Sequence, residues 1–379
     1  MKITDISTIP IDRYLLVQIE TNEGISGLGE SGAWGYLRAS ERVLDKFRNY
    51  LIGKDPLAIE HHWQYMYRCF HFRGAAIMGA ISAVDIALWD IAGKYFEVPV
   101  YKLLGGPCRD KARVYHHVFG STPEELVEDC KEAKDQGYSA VGHLNPFLDE
   151  PRSDSYFKPH AEKLKDAVEV VKRCREAVGD EVDLCIEIHR RLEVSEAITF
   201  AHEIEQFMPY FYEDPIRPDN FDSMGRVANN INIPIATGER LHTIEEFQSL
   251  LKREAAEFIR PDVCLAGGIT HTKKIAALAE AHGVQVVPHN PLSPLSTLAC
   301  VQLAASIPNF AIQEHPKGED ESPKKEIFDS PLEIDDGFAI VTQKPGIGIE
   351  LKDGAREAFP YKDKKINTRL HEDGSVVDQ

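Results

Sequence analysis

The sequence is short of positive charge. Its 379 residues carry 43 Lys plus Arg against 61 Asp plus Glu, a formal charge of −18 with His neutral. A surface of that sign repels nucleic acid and anionic membranes, and argues against binding either through diffuse charge. The chain also shows no run of about 18 apolar residues, and Met1 to Ile11 lacks a basic segment followed by an apolar one. Neither a membrane span nor an export leader is expected, so the reading is a soluble, unprocessed protein. Cysteine is scarce: the seven are odd in number, widely spread and include no C-x-x-C pair. That argues against a disulfide framework or a zinc site and for reduced thiols in a cytoplasmic protein. No P-loop is present, which disfavours phosphoryl transfer.

What the chain does have is enough apolar residue, 43%, to bury a large core. Its acidity is therefore a property of surface and site and not a sign of disorder. Ile3 to Ile9 and Tyr14 to Glu20 alternate apolar and polar residues and precede the turn-rich Thr21 to Gly35, the pattern of an antiparallel meander. A helical region follows, clearest over Ala80 to Tyr95, and Gly105, Gly106 and Pro107 then punctuate the chain.

From Ala112 to about Glu314 the pattern becomes short apolar runs, each followed by an amphipathic helix. The runs are Arg113 to Val118, Tyr138 to His143, Val182 to His189, Tyr210 to Glu213, Pro234 to Thr237, Phe258 to Arg260, Val284 to Pro288 and Phe310 to Gln313. Eight such runs predict a parallel α/β barrel. The competitor is a doubly wound open sheet, which usually has a Gly-rich turn after its first strand; Phe119 to Thr122 is not one. The expected organisation is an α+β capping domain over 1–111, a TIM-like barrel over 112–330 and a C-terminal segment, 331–379, that returns to the cap, its tail from Lys362 a surface arm.

Active sites of such barrels lie at the C-terminal ends of the strands, so the polar residues closing each run are informative. They are Glu187 and His189, Glu213 with Asp214, Glu239, Asp262, His289 with Asn290, and Glu314. Glu187, Glu213 and Glu239 are 26 residues apart in each case, one βα unit, so all three face one mouth. Carboxylates held that close cannot all stay ionised without a cation. An all-oxygen set of this kind suits Mg²⁺, with Mn²⁺ as the substitute. His189, two residues beyond Glu187, is expected on the same side of an extended strand, beside the metal. Asp262 is expected behind His289, fixing its tautomer. Two imidazoles flanking Mg²⁺ suit removal of a proton α to a carboxylate, followed either by loss of a β-hydroxyl or by return of the proton to the opposite face. His61, His62, His71, His160, His202 and His242 fall outside the strand-end set and are read as background. Gly267 and Gly268 could contact a phosphate, but a helix-start turn is the favoured role.

These residues resemble the enolase superfamily in its mandelate racemase and muconate lactonizing enzyme branch, and most of all its sugar-acid dehydratases of the galactonate and mannonate type. The resemblance spans essentially the whole chain. It rests on Gly24-Ile-Ser-Gly-Leu-Gly-Glu30, Phe72-Arg-Gly74, Ala83-Val-Asp-Ile-Ala-Leu-Trp-Asp-Ile91, Tyr212-Glu-Asp-Pro215, Thr237-Gly-Glu239, Ala266-Gly-Gly-Ile-Thr270, Pro288-His-Asn290, Pro345-Gly-Ile-Gly348 and His371-Glu-Asp-Gly-Ser375. It implies a (β/α)₇β barrel with an α+β cap built from both chain ends, a homo-oligomer, and a small anionic sugar acid as substrate. It implies Glu187, Glu213 and Glu239 as Mg²⁺ ligands, Asp262 and His289 as the dyad taking the C2 proton, and His189 as the acid that helps the C3 hydroxyl leave. Glu314 would meet the substrate carboxylate or the enediolate oxygen, with His117, Asn145 and Arg260 lining or supporting the pocket. The loops Ser31 to Tyr36 and Cys69 to Gly74 would close over the substrate.

Two positions depart from that pattern. The first ligand, commonly Asp, is Glu187, one methylene longer. The second run has Gly142-His-Leu-Asn145 where racemases and cycloisomerising relatives have Lys-x-Lys, which favours a two-histidine dehydratase. The alternatives are a racemase, epimerase or cycloisomerase on the same scaffold, and a catalytically retired barrel acting as a sensor.

Overall fold

The structure, a computed structural model, describes residues 1–148, 158–329, 332–365 and 368–377. The boundary expected between 330 and 331 lies outside the described residues.

Eight strands, Lys111–His117, Ala140–Leu144, Asp183–Glu187, Phe211–Glu213, Ile235–Thr237, Phe258–Ile259, Gln285–Val286 and Gln313–His315, pair in parallel in that order. The eighth pairs with the first through Glu314 and Tyr115, and a bridge between Val286 and Phe310 closes the circle. Closure excludes the open sheet. Helices follow the first seven strands, and the eighth leads only to the single turn Lys324–Ile327, so the barrel is (β/α)₇β. One expectation shifts. The eighth strand begins where its apolar run was expected to end, which places Glu314 inside the strand. The helix expected after the fourth run, for which no span was assigned, is Phe221–Ala228; it buries Met224 and Val227, and the Asn220 side chain starts it by accepting from Asp222 N and Ser223 N.

One buried side chain from each of the first six strands, with Val287 and Ile312 next to the last two, fills the lower barrel: Tyr115, Ala140, Cys185, Phe211, Ala236, Phe258, Val287 and Ile312. This apolar floor forces polar side chains nearer the strand ends to find partners among themselves.

The cap has an antiparallel sheet, Ile3–Ile11, Tyr14–Thr21 and Ser26–Glu30, and the helices Leu37–Leu51, Ile59–Arg68 and Ala75–Tyr95. Ala75–Tyr95, although Asp85 and Asp90 interrupt its apolar run, is long and apolar enough to cross a membrane by length and composition. Its apolar surface is spent inside the protein, against the third cap strand and helix Gly268–Ala281 of the barrel. The close approach explains two glycines: a Cβ at Gly27 would lie 2.0 Å from Ala87 O, and one at Gly29 would lie 1.9 Å from Ala83 O. Asp90 of the same helix is buried and accepts from Leu28 N at 3.0 Å and Ile347 N at 2.8 Å, tying the cap sheet to the C-terminal segment. That segment touches both bodies. Ile334–Asp335 and Phe338–Ile340 form a hairpin whose second strand pairs with Lys111 to Arg113, while Gly346 bridges Pro99 and Pro360 bridges Ile11.

Candidate active site

Glu187 and Glu213 end the third and fourth barrel strands and are cross-strand neighbours. Glu239 follows the fifth strand after Gly238, whose φ of 131° turns the chain into the mouth where an added Cβ would meet Phe247. One oxygen from each of the three acids lies within 4.8 Å of the others. Burial raises the Glu213 carboxyl well above the usual range, and Glu187, Glu314 and Glu239 add to it against the Arg260 guanidinium. Burial opposes ionisation of Glu187 too, but His189 and His143 outweigh it and hold that carboxyl low. Glu213 Oε1 is fully buried and lies against Arg260 Nε, yet in a geometry that makes no hydrogen bond. Three converging carboxylates with such an oxygen among them fit a hard divalent cation such as Mg²⁺ or Mn²⁺.

The expected dyad is assembled by the backbone. Asp262 and His289 form a parallel bridge between the ends of the sixth and seventh strands, and His289 Nδ1 lies 2.9 Å from Asp262 Oδ2. Cys264 N donates to the other Asp262 oxygen at 2.7 Å. His289 Nε2 turns toward the acids, 3.4 Å from Glu239 Oε2. Burial would lower the imidazole, but Glu239, Glu314 and Asp262 raise it to about 9.

His189 also reaches the trio, with Nε2 2.5 Å from Glu187 Oε1, though not by strand alternation. The strand stops at Glu187, and His189 and Arg190 have φ of 52° and 65°, so a left-handed turn folds both over the mouth.

Glu314 accepts from His117 Nε2 at 2.8 Å, from Arg260 Nη2 at 2.6 Å and from Asn290 N at 2.7 Å. Arg260, 1% exposed, also bonds the Tyr115 hydroxyl, and so sits between the apolar floor and the acids as a buried counter-charge. Asn145 accepts from Phe147 N through Oδ1, while its buried Nδ2 has no hydrogen-bond partner among the described residues.

Two residues escaped the sequence reading. Arg190 Nη1 bonds Glu239 at 2.6 Å and Asp214 at 2.9 Å. His143 Nδ1 lies 2.6 Å from Glu187 Oε2, and its ring stacks on His117 at 5.1 Å. His143 closed the second apolar run, so the strand-end rule itself would have found it. Gly267 and Gly268 do open a helix, and its N-terminus is filled from the cap. Ser82 Oγ accepts from both glycine N–H groups, and Asp85 Oδ2 accepts from Thr270 N at 3.0 Å. These oxygens hold the place a phosphate would need. In the cap loop expected to cover the mouth, Gly32 N donates to Cys264 O at 2.7 Å, beside Asp262.

Residues 2–105 match the family model of the mandelate racemase/muconate lactonizing enzyme N-terminal domain, and 125–355 match the enolase C-terminal domain-like model. A D-galactonate dehydratase of Variovorax paradoxus is 37% identical over 393 residues, covering 100% of both chains. An enolase of Agrobacterium radiobacter, solved with bound sodium and L-malate, superposes with a TM-score of 0.93 at 30% identity, covering 100% of both chains. The 3,6-anhydro-D-galactonate cycloisomerase of Zobellia galactanivorans superposes with a TM-score of 0.86 at 28% identity, over 95% of this chain and 99% of that one. With both domain models matched in order and the strand-end acids gathered at one mouth, this chain belongs to the mandelate racemase/muconate lactonizing enzyme family of the enolase superfamily.

Proposed function

We propose that this protein is a hydro-lyase that removes water from an aldonate to give a 2-keto-3-deoxy acid. The observation that carries the reading is an imidazole at each side of the acid trio: His189 against Glu187, and His289, backed by Asp262, against Glu239. Glu187, Glu213 and Glu239 are the residues to hold Mg²⁺, or Mn²⁺ in its place. When bound there, such an ion supplies Lewis acidity to the substrate carboxylate and offsets the Glu239 charge that helps keep His289 protonated. His289 Nε2 takes the C2 proton as general base, and Asp262 stabilises the imidazolium that results. His189 gives a proton to the C3 hydroxyl as the C3–O bond breaks; water leaves, and the remaining enol tautomerises to the 2-keto acid. Glu314 and His117 are assigned to the substrate's carboxylate side, with Asn145 and Arg260 supporting them. A local cation and the two imidazoles give an anionic substrate its attraction within a protein of net negative charge.

The name of the Variovorax relative makes D-galactonate the first acid to try. The test strips the full chain with a chelator and incubates it with C4 to C6 sugar acids, with and without Mg²⁺, following 2-keto acid formation. Mg²⁺-dependent product is expected; a folded, Mg²⁺-loaded protein that turns over none of the acids would sink the reading. The Zobellia neighbour supports a second reading, cycloisomerisation or epimerisation from the same C2 abstraction. Deuterium entering C2 from solvent without keto acid would select it.

A further inference from the structure

Glu187 belongs to two groups of ligand atoms. One is the acid trio. The other consists of His143, Glu187 and His189, in which one ring nitrogen of each histidine and a Glu187 oxygen lie within 4.8 Å of one another. We propose that this second group is a separate metal site, built for a borderline transition-metal dication such as Zn²⁺ or Co²⁺, and that its occupation inhibits the enzyme.

The donor chemistry separates the two groups. Two imidazoles and one carboxylate suit Zn²⁺, Co²⁺ and similar ions, whereas Mg²⁺ takes oxygen ligands. The approach is already made on both sides: His143 Nδ1 lies 2.6 Å from Oε2 and His189 Nε2 lies 2.5 Å from Oε1 of the one carboxylate. The two rings stand at 70° with centroids 4.9 Å apart, so they converge on the carboxylate from different directions. Both histidines reach it from left-handed backbone, φ 54° for His143 and 52° for His189, a conformation uncommon in residues other than glycine. Paired outliers aimed at one acid are the kind of strain that a fold retains at a working site. The ring of His143 is further held by stacking on His117 and by the edge contact of Phe119 at 4.8 Å. Glu187 is buried while the histidines are 21% and 23% exposed, so an ion reaches them from the mouth.

Inhibition rests on the proposed function, because it requires His189 to be the acid. Metal binding does not. The His189 nitrogen that faces Glu187, once bound to a cation, has no proton to give.

The experiment titrates Co²⁺ into chelator-stripped full-length protein with Mg²⁺ in large excess, following visible absorption and stoichiometry. The expected result is one Co²⁺ per chain that Mg²⁺ does not displace, with an absorption band that Zn²⁺ abolishes. His143→Ala and His143→Asn, the latter keeping a donor for Glu187, should each weaken this binding at least tenfold, while His242→Ala leaves it unchanged. Should a His143 variant not fold, as judged by its thermal melt, His189→Asn supplies the same comparison. Binding of Co²⁺ only where Mg²⁺ displaces it, or a band that survives the histidine substitutions, overturns the proposal. In turnover, Zn²⁺ should inhibit the Mg²⁺-supported reaction without relief by added Mg²⁺. If no sugar acid is turned over while the cobalt site is present, the reaction assignment fails and the metal site stands.

Discussion

Among the acids that the protein buries, those at the barrel mouth and those along the seam between cap and barrel are treated differently. At the seam each acid meets donors that it holds in place. Asp90 takes two backbone N–H groups and the Lys94 ammonium at 2.8 Å, Asp85 takes Thr270 N, and Glu30 takes the Ser293 hydroxyl at 2.5 Å. At the mouth, acids face acids, and Arg190, Arg260 and the histidines are drawn in as counter-charges. Burial raises Asp85 to about 7 and Glu30 to about 8, although neither belongs to the acid trio or to the Asp262 and His289 pair. A displaced pKa therefore does not mark the site here; the convergence of like charges does.

The sharpest way to break that comparison is to remove charge from the mouth. Glu213→Gln keeps the size of the side chain and should lower Mg²⁺-supported turnover by about 10³-fold or more, since it removes a ligand on which charge stabilisation depends. Its melting temperature without metal should change little, because loss of the buried Arg260 ion pair is offset by relief of repulsion from Glu187, Glu239 and Glu314, and Arg260 keeps Glu314. A loss of stability without a loss of rate would place Glu213 with the seam acids. His289→Asn comes next, with a loss of about 10² to 10⁴-fold in kcat. Asp262→Asn, acting through His289, should cost about 10 to 100-fold. Steady-state kinetics of the folded variants order the three.

Much of the mouth was legible because the barrel repeats itself. A βα unit of constant length puts Glu187, Glu213 and Glu239 at equal intervals, and strand ends are where a barrel keeps its polar side chains. Asp262 and His289 followed from the same rule. Arg190 did not, since alternation along a strand says nothing once the strand has stopped and the chain turns left-handed. The filling of the Gly267 and Gly268 turn was hidden for another reason: its oxygens come from Ser82 and Asp85, some 185 residues away in sequence. The apolar character of Ala75–Tyr95 has the same origin, because its partners lie in both domains and no local pattern names them.

The seam gives the complementary prediction. Asp90→Ala leaves Leu28 N and Ile347 N buried without their acceptor and deprives Lys94 of one of its two acids. A cost of about 3 kcal/mol in unfolding free energy is expected, measured by denaturant titration, while kcat at a temperature where the variant remains folded stays near the parent value. A large fall in kcat with no loss of stability would dissolve the distinction between the two acid sets.

The smallest effect concerns Glu30, which ends the third cap strand and reaches Ser293 at the start of a barrel helix. Burial raises its carboxyl to about 8, whereas an unfolded chain keeps Glu near 4.3. The folded state therefore binds this proton more tightly than the unfolded state. Its contribution to stability is fully present below the unfolded value and is lost as pH climbs toward 8. Glu30→Gln, which cannot ionise, removes that slope, so the fall in melting temperature between pH 5 and pH 8 should be smaller in the variant than in the parent. Glu30 is then neutral scaffolding at the acid end of this window. A variant with an unchanged pH slope would show that Glu30 is ionised across the range, and the seam would then carry charge as the mouth does.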